Sequence, residues 1–308
     1  MIDSEKLVRE FEEKYKSYEE EHKKMTKYKN QITWCLFFGL IISLVVLITV
    51  IFDNGNMPIY KGVLVVIGFM LCIFSIIQRV RFYKFMDDYK GKYYNAISEF
   101  LLNKYYSDVK LYKDDVFNVK EEFNNVKYVK YKTKINHYNS MELSYKEYII
   151  RSMNISASVS AGETDTSIFC GLFNKIFLSE DTGVRLSIVN KKDYYGKQIP
   201  DAKIDIDSTE FENKFNVYAD DKVKAMQILT ADVMEIFKQM YKVSKDGFEV
   251  AIIKNKMYLR IPRYRQLFYV GMNNLIEREY INEDIQSFYL ITAIIDNVDY
   301  AVKHNNVV

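Results

Sequence analysis

The arrangement of hydrophobic and polar positions is dominated by two long apolar segments near the start of the chain, the first of them without a charged residue. The first covers residues 33–52, and the second covers residues 60–78 with Lys61 close to its start. Because an α-helix rises about 1.5 Å per residue, about 20 apolar residues cross the hydrocarbon of a bilayer. Core helices of soluble proteins rarely stay apolar on every face over this length, and a long charged stretch does not precede a cleaved signal peptide. The pattern therefore predicts a transmembrane hairpin over residues 33–78.

Basic residues lie on only one side of the predicted hairpin. The connection at residues 53–58 has none, whereas basic residues precede the first apolar segment and follow the second. These residues are Lys23, Lys24, Lys27, Lys29, Arg79, Arg81, Lys84, Lys90 and Lys92. Since loops rich in Lys and Arg stay in the cytoplasm, we expect a multi-pass plasma-membrane protein with both termini cytoplasmic. Arg79, Arg81 and Lys84 are expected at the lipid headgroups, which makes membrane lipids a predicted partner.

Apolar residues recur every three or four positions in the charged stretches on both sides of the hairpin. The two seams are Leu7, Phe11, Tyr15, Tyr18, His22 and Met25, and Phe82, Met86, Tyr89, Tyr93, Ala96 and Phe100. This period predicts a cytosolic amphipathic helix over residues 1–32, with Ser4 as N-cap, and a juxtamembrane helix over residues 79–106. A hairpin returns both helices to one side of the membrane, so they should pack antiparallel. The alternative is that each seam packs on the globular domain or on another subunit.

After about residue 107 the helical period gives way to alternation, which indicates strands. The predicted strands are residues 129–135, 141–149, 155–159 and 203–207, with a turn at residues 137–140 between the first two. A helix over residues 231–241 should begin at the capping residue Thr230, and a hairpin with its turn at residues 254–256 should follow. Asn282 is expected to cap a terminal helix. The fold class is therefore α+β: an N-terminal helix, a two-helix transmembrane hairpin, a helix, and a cytosolic domain of mixed antiparallel sheet and helices over residues 107–308.

Composition narrows the possible functions. The chain has 43 basic and 41 acidic residues, so its charge nearly cancels and no nucleic-acid partner is expected. The three cysteines, Cys35, Cys72 and Cys170, are far apart and are interpreted as small apolar fillers rather than disulfide or zinc ligands. The sequence has no Gly-rich phosphate loop, no hydrolase elbow and no HExxH motif. No catalytic residue and no cofactor is therefore predicted.

One acidic stretch offers candidate metal ligands. Asp201, Asp205 and Asp207 have the same parity along the predicted strand and should line one of its faces. Carboxylate oxygens at this spacing could bind Mg²⁺ or Ca²⁺, which makes Asp205 and Asp207 the candidates. A solvated outer strand face explains the same alternation.

Three arginines near the end of the predicted β-hairpin, whose turn is at residues 254–256, are candidates for binding a partner. Arg260, Arg263 and Arg265 interleave with proline and aromatic residues. Arginine and aromatic side chains are enriched at protein interfaces, which favours a partner-binding surface. The alternative is a packed hairpin edge whose arginines are solvated.

Several stretches of the second half of the chain form a recognisable pattern: Ile168 to Phe173, Val184, Asp207 to Asp220, Lys224 to Thr230, and Val233 with Met234. Together these stretches resemble the bacterial DUF3137 family. The resemblance implies two membrane spans ahead of the domain, no established activity, and a possible envelope partner of the LemA type. Met226 and Gln227 stand where the family often has Arg-Tyr, so no role for that Arg is carried over.

These observations favour an integral membrane protein that serves as a membrane-anchored cytosolic interaction or regulatory module. Such a module needs no catalytic residue, and none is predicted. One alternative is an oligomeric two-helix pore or effector gated by the cytosolic domain, in which the chain forms a homo-oligomer. Another alternative is a carboxylate-metal hydrolase that uses Asp205 and Asp207.

Overall fold

The structure is a computed structural model. It describes residues 4–52, 59–112, 115, 118–126, 133–161, 164–191, 199–244, 247–263, 265, 267–268 and 278–305. The chain divides into two compact units, of which the first comprises residues 1–97 and 270–278 and the second comprises residues 98–269 and 279–308. The connection at 53–58 and the strand residues 129–132 predicted above lie outside the described residues.

Long helices make up the described part of the first unit. Helix α1 (Ser4–Lys14) is followed after Tyr15 by α2 (Lys16–Phe52), and α3 runs from Ile59 to Leu102, so its end belongs to the second unit. The N–H of Tyr15 still donates to the carbonyl of Phe11 at 2.9 Å, so the helical hydrogen bonding continues across the break. Helices α2 and α3 each contain a stretch that is long and apolar enough to cross a membrane, with a mean hydropathy of 2.6 and 2.4.

A seam with heptad spacing joins these helices. Seven-residue steps relate the buried residues Met25, Ile32, Gly39 and Val46 on α2, and Gly68, Ser75, Phe82 and Tyr89 on α3. Ring pairs connect the two sides, with centroid distances of 5.7 Å for Phe11–Tyr93, 6.2 Å for Tyr18–Tyr89 and 6.5 Å for Tyr28–Phe82. As the residue numbers rise along α1 and α2, those of the contacting residues on α3 fall. The predicted antiparallel packing of the two seams is therefore confirmed.

Small residues bring α2 and α3 closest together. A Cβ atom on Gly68 would lie 2.4 Å from Ser43 Oγ, and one on Gly39 would lie 3.2 Å from the Gly68 carbonyl oxygen. A side chain at Gly68 would require Ser43 to move, and one at Gly39 would require its neighbours to shift by a few tenths of an ångström. The crossing point therefore depends on both glycines.

The second unit is built around one antiparallel sheet, with nine strands among the described residues. The strands are β1 (Ser107–Tyr112), β2 (Thr133–Tyr145), β3 (Tyr148–Ala161), β4 (Thr164–Phe177), β5 (Arg185–Asn190), β6 (Ala202–Ile204), β7 (Phe215–Ala219), β8 (Glu249–Ile253) and β9 (Lys256–Pro262). Their order is β1-β2-β3-β4-β9-β8-β5-β7-β6. Each of these neighbouring pairs is antiparallel, which confirms the predicted α+β class with an antiparallel sheet.

Helices cover the sheet. They are α4 (Val119–Val126), α5 (Thr209–Glu212), α6 (Lys222–Ile228), α7 (Ala231–Val243) and α8 (Arg278–Asn305). The buried Val119 and Phe123 of α4 belong to a core cluster with the strand residues Met153 and Phe173. Helix α8 packs on the opposite face, where Tyr145 of β2 donates a hydrogen bond to its Asp296 at 2.9 Å.

The turn predicted between the first two strands of this unit is wrong. The predicted turn at residues 137–140 is a bulge inside β2, where the pairing register shifts between Tyr138 and Ser140 and Asn139 has a φ of +50°. An extra residue in one strand interrupts the alternation without ending the strand, and Asn tolerates this conformation. The chain reverses instead at Lys146, and the single strand β2 replaces the predicted hairpin.

Helix starts were predicted with mixed success. Asn282 does not cap the terminal helix, because α8 already begins at Arg278. Thr230 caps α7 as predicted, since its hydroxyl accepts from the N–H of Val233 at 3.3 Å. The predicted turn after β8 is confirmed at Lys254 and Asn255.

Candidate functional site

A row of polar side chains crosses the sheet from edge to edge. Directly paired residues of neighbouring strands lie on the same face, so the register defines which side chains stand side by side. The row, from β1 to β6, is Lys110, Glu142, Arg151, Lys175, Tyr258, Ala251, Ser187, Tyr218 and Lys203. All of these residues except Ala251 are polar or charged. We call this set the polar row.

Helix α4 adds a carboxylate to the middle of the polar row. One Glu122 oxygen pairs with the ammonium group of Lys175, and the other accepts a hydrogen bond from the Tyr258 hydroxyl at 2.5 Å. The Lys175 side chain is only 6% exposed. Phe123 of α4 holds the helix in place by packing edge-to-face on Phe173, with the ring centroids 5.5 Å apart. The helix thus positions Glu122 between two strands that pair directly.

The protonation states of this triad follow from its surroundings. Burial by itself would raise the pKa of Glu122, but hydrogen bonds from Lys175 and Tyr258 outweigh it, so the pKa is lowered. Burial, and then the Glu122 carboxylate, raise the pKa of Tyr258. At neutral pH Glu122 is therefore ionised, Tyr258 is a neutral donor, and the charge of Lys175 is balanced inside the domain.

Three further charged residues, Arg151, Glu142 and Lys110, continue the polar row toward β1. Glu142 accepts from Arg151 Nε at 2.9 Å and lies 3.5 Å from Lys110 Nζ. The hydrogen bond from Arg151 is the largest cause of the lowered pKa of Glu142. Arg151 and Lys175 both lie over the ring of Phe177, at 5.4 and 4.9 Å from its centroid. This ring and the two carboxylates let neighbouring cations share one sheet face.

A second group of buried charges contains the three arginines predicted to bind a partner. The side chains of Arg260, Arg263 and Arg265 are 5, 7 and 13% exposed. Arg260 pairs with Glu249 at 2.5 Å, and both Arg263 and Arg265 pair with Asp284 of α8, at 2.5 and 2.9 Å. The arginines are thus neither solvated nor on an open surface. The ion pair of Arg260 joins β9 to β8, and those of Arg263 and Arg265 join the residues after β9 to α8. A role for them in binding a partner stays a prediction.

Asp284 also organises the chain after β9. Its second oxygen accepts the backbone N–H of Phe268 at 2.7 Å, while Arg263 donates to Ser287 Oγ at 3.0 Å. The N–H of Leu267 donates to Asn154 Oδ1 at 3.0 Å. Buried polar groups therefore connect this segment to both β3 and α8.

The candidate metal ligands do not share a strand face. Strand β6 ends at Ile204, and Asp205 and Asp207 are exposed in the segment that follows it. Asp201 is buried before the strand, where it accepts from Arg185 at 2.5–2.9 Å. The predicted alignment of the three aspartates is wrong because the strand is too short to include them. Among the described residues, no group of three or more His, Cys, Asp or Glu side chains could hold a metal ion.

The remaining candidates lie on the surface. Arg79, Arg81 and Lys84 are exposed on α3, and their contact with lipid headgroups stays a prediction. Cys170 is an exposed free thiol on β4, so its interpretation as an apolar filler is wrong. Burial of part of this side chain raises its pKa.

The family relationship rests on the second half of the chain. Residues 167–300 match the model of the family described as Protein of unknown function (DUF3137). This segment belongs to the DUF3137 family. It begins in β4 and ends in α8, so it contains Lys175, Tyr258 and Asp284. Glu122, which completes the triad, lies outside the DUF3137 match.

No curated protein and no solved structure matches the chain. The family description states that the function is unknown, so it assigns no role to any residue of the polar row.

The sequence interpretation missed the triad of Glu122, Lys175 and Tyr258. One signal is present in the sequence, because Lys175 alternates with Phe173 and Phe177 along a strand, and a charge on such an apolar face needs a buried partner. Nothing local identifies that partner, since Glu122 lies 53 positions earlier.

Proposed function

We propose that the chain is an integral membrane protein whose α+β domain serves as a membrane-anchored interaction or regulatory module. The observation that supports it most directly is the exposure of large apolar side chains on α2 and α3, which reaches 65% for Phe69, Met70 and Val80. A soluble protein rarely leaves so many apolar side chains together in water. Lipid would cover them.

The helix crossing also fits a bilayer. Lipid chains are as apolar as leucine, so the hydrophobic effect does not drive helices together there, and close backbone approach through small residues takes its place. Gly39, Gly68 and Ser43 provide that approach within the apolar parts of α2 and α3.

A continuous helix supports a regulatory role for the domain. Helix α3 runs from its apolar part to Leu102, and β1 begins at Ser107. The chain connection between α3 and the sheet is therefore short, which supports a regulatory role in which the domain stays close to the membrane in sequence.

Membrane insertion is tested by placing charges on the apolar helices. Leu44 and Met70 lie near the centres of the two segments and are exposed. Leu44→Lys with Met70→Lys should move the chain out of membranes washed with alkaline carbonate, because a lysine at the bilayer centre costs about 2.5–3.5 kcal/mol. Val223→Lys, at an equally exposed apolar position in the second unit, is the matched control and should stay in the membrane pellet. Retention of the double variant would contradict insertion.

The proposed orientation, with both termini in the cytoplasm of a plasma-membrane protein, is tested with Cys170. After Cys35→Ala and Cys72→Ala, Cys170 is the remaining cysteine of the chain. A membrane-impermeant maleimide at mildly alkaline pH, which offsets the raised pKa of this thiol, should label it only in permeabilised cells. Labelling in intact cells would reverse the proposed orientation.

The interaction role is tested by photo-crosslinking in native membranes. Tyr138, Tyr289 and Tyr300 are exposed tyrosines of the second unit and each accepts an aromatic crosslinker without disturbing the core. A single protein crosslinked at one position and not at the others supports a module with a defined binding surface. Crosslinks between copies of the chain alone would favour the oligomeric pore or effector instead.

A further inference from the structure

A groove lies between α2 and α3 just before the first apolar segment and just after the second. Its volume is about 380 Å³, which is within the range of small-molecule pockets. The lining residues are Lys24, Met25, Tyr28, Gln78, Arg81, Phe82 and Phe85. They combine an apolar floor with two cations, and no carboxylate is among the described residues that line the groove.

The two cations of the groove are available to a ligand. Neither Lys24 nor Arg81 forms an ion pair with any residue that the structure describes, and both are exposed. A cation pair beside apolar surface is complementary to a phosphate attached to hydrocarbon. The charge of the groove thus selects an anion, and its floor selects an amphipathic one.

A polar pair between the cations adds a donor. The Tyr28 hydroxyl donates to Gln78 Oε1 at 2.9 Å and joins the two helices. This bond occupies the amide oxygen, so the amide nitrogen of Gln78 can donate to an anion in the groove.

The position of the groove along the helices matches the headgroup layer. Arg81 is three residues past the end of the second apolar segment, and Tyr28 is five residues before the first. At about 1.5 Å per residue, Arg81 and Tyr28 lie roughly 5–8 Å from the hydrocarbon, which is about the depth of the headgroup layer of a leaflet. The backbone of Lys24, nine residues before the first segment, lies roughly 14 Å from the hydrocarbon, so its long side chain reaches the layer from outside.

We propose that this groove is a binding site for the phosphate of an anionic phospholipid. Lys24 and Arg81 bind the phosphate, Gln78 donates to it, and Met25, Phe82 and Phe85 contact the apolar part of the lipid. The site differs from general attraction to the membrane surface, because Arg79 and Lys84 carry the same charge on the same helix but do not line it. It rests on the proposed insertion of α2 and α3 in the membrane.

The test measures phosphatidylglycerol binding to the intact chain in detergent by native mass spectrometry. Each cation near a lipid headgroup contributes about fivefold, so Lys24→Gln with Arg81→Gln should weaken binding about 25-fold. Arg79→Gln with Lys84→Gln removes the same charge outside the groove and should change binding less than about twofold. Phosphatidylcholine should bind the unaltered chain weakly, and inorganic phosphate should not displace phosphatidylglycerol.

Three results would overturn the lipid site: equal weakening by both double variants, equal binding of the two lipids, or full displacement by inorganic phosphate. Insertion is followed separately through Trp34, the single tryptophan of the chain, which lies at the start of the first apolar segment. Brominated phosphatidylcholine should quench its fluorescence in vesicles that contain any of the variants. Quenching without lipid selectivity refutes the site alone, whereas absence of quenching refutes the membrane proposal. Equal melting temperatures of the variants in lipid-free detergent exclude misfolding as the cause.

Discussion

Glu122 and Lys175 form an ion pair that joins helix α4 to strand β4, although 53 residues separate them along the chain. Lys175 lies inside the segment that belongs to the DUF3137 family, and Glu122 lies outside it. The family segment therefore depends on an earlier part of the chain to neutralise a charge buried in its own sheet. A protein cut at the start of the family match would leave Lys175 without this partner.

Removal of one partner of the pair should destabilise the second unit. Glu122→Gln leaves the Lys175 ammonium buried without its carboxylate, which costs about 3–5 kcal/mol. Thermal unfolding of the detergent-solubilised chain measures the effect. The double variant Glu122→Gln with Lys175→Met should lose less than the sum of the two single variants, because it leaves no buried charge. Additive losses would show that the pair does not act as a unit.

Acid should weaken the same contact. The folded-state pKa of Glu122 is lowered from its ordinary value of 4.5, so its contribution is present above that pH and disappears as the pH falls through the folded pKa. The melting temperature of the unaltered chain should therefore fall below about pH 4.5, and Glu122→Gln should flatten this part of the curve. An identical pH dependence in the two proteins would contradict the assigned charge state.

Substitution of the buried Asp284 should destabilise the protein far more than substitution of the exposed aspartates after β6. Asp284→Asn leaves Arg263 and Arg265 without a carboxylate and should cost about 3–5 kcal/mol, enough to reduce the amount of folded protein. Asp205→Asn with Asp207→Asn is the matched control and should stay within about 0.5 kcal/mol of the unaltered chain. Addition of Mg²⁺ or Ca²⁺ that stabilised the unaltered chain but not this control would revive the metal alternative.

The helix crossing should not tolerate a methyl group. Gly68→Ala places a Cβ atom 2.4 Å from Ser43 Oγ and 3.2 Å from the Gly39 carbonyl oxygen, so the Ser43 hydroxyl must move and the melting temperature should fall. Ser43→Gly in the same chain removes the nearest atom and should restore part of the loss. Gly91→Ala, also in α3, is the control, because its Cβ atom would meet nothing within 4 Å. This control should be stabilised by up to about 1 kcal/mol through the higher helix propensity of alanine.

The elements predicted well are those whose signal is local. The seams of residues 7–25 and 82–100 repeat with the helical period, and this repeat predicts antiparallel packing of the two helices, which the contact of Phe11 with Tyr93 confirms. Thr230 was recognised because its cap involves only the next three residues. Such interactions depend on spacing that can be read along the chain.

The elements predicted poorly depend on distant parts of the chain. The bulge at Asn139 depends on the pairing of β2 with β3, which the local sequence does not reveal. The sequence around Asn139 by itself resembles a turn. The pairing of β4 with β9 places Lys175 beside Tyr258 and joins two strands that have four other strands between them in sequence order. The polar row appears only once all the registers are known, because each strand contributes a single residue to it.

The two edge strands of the sheet affect whether copies of the protein aggregate at high local concentration. Strand β6 has only three residues, and β1 pairs irregularly with β2 between Ser107 and Lys110. Long regular edges are templates on which another chain can add a strand and start aggregation, whereas short or irregular edges resist it. Anchoring in a bilayer would concentrate the sheets of neighbouring molecules in two dimensions. In the proposed membrane-anchored state, these edges would keep the sheets of neighbouring copies from fusing into a continuous assembly.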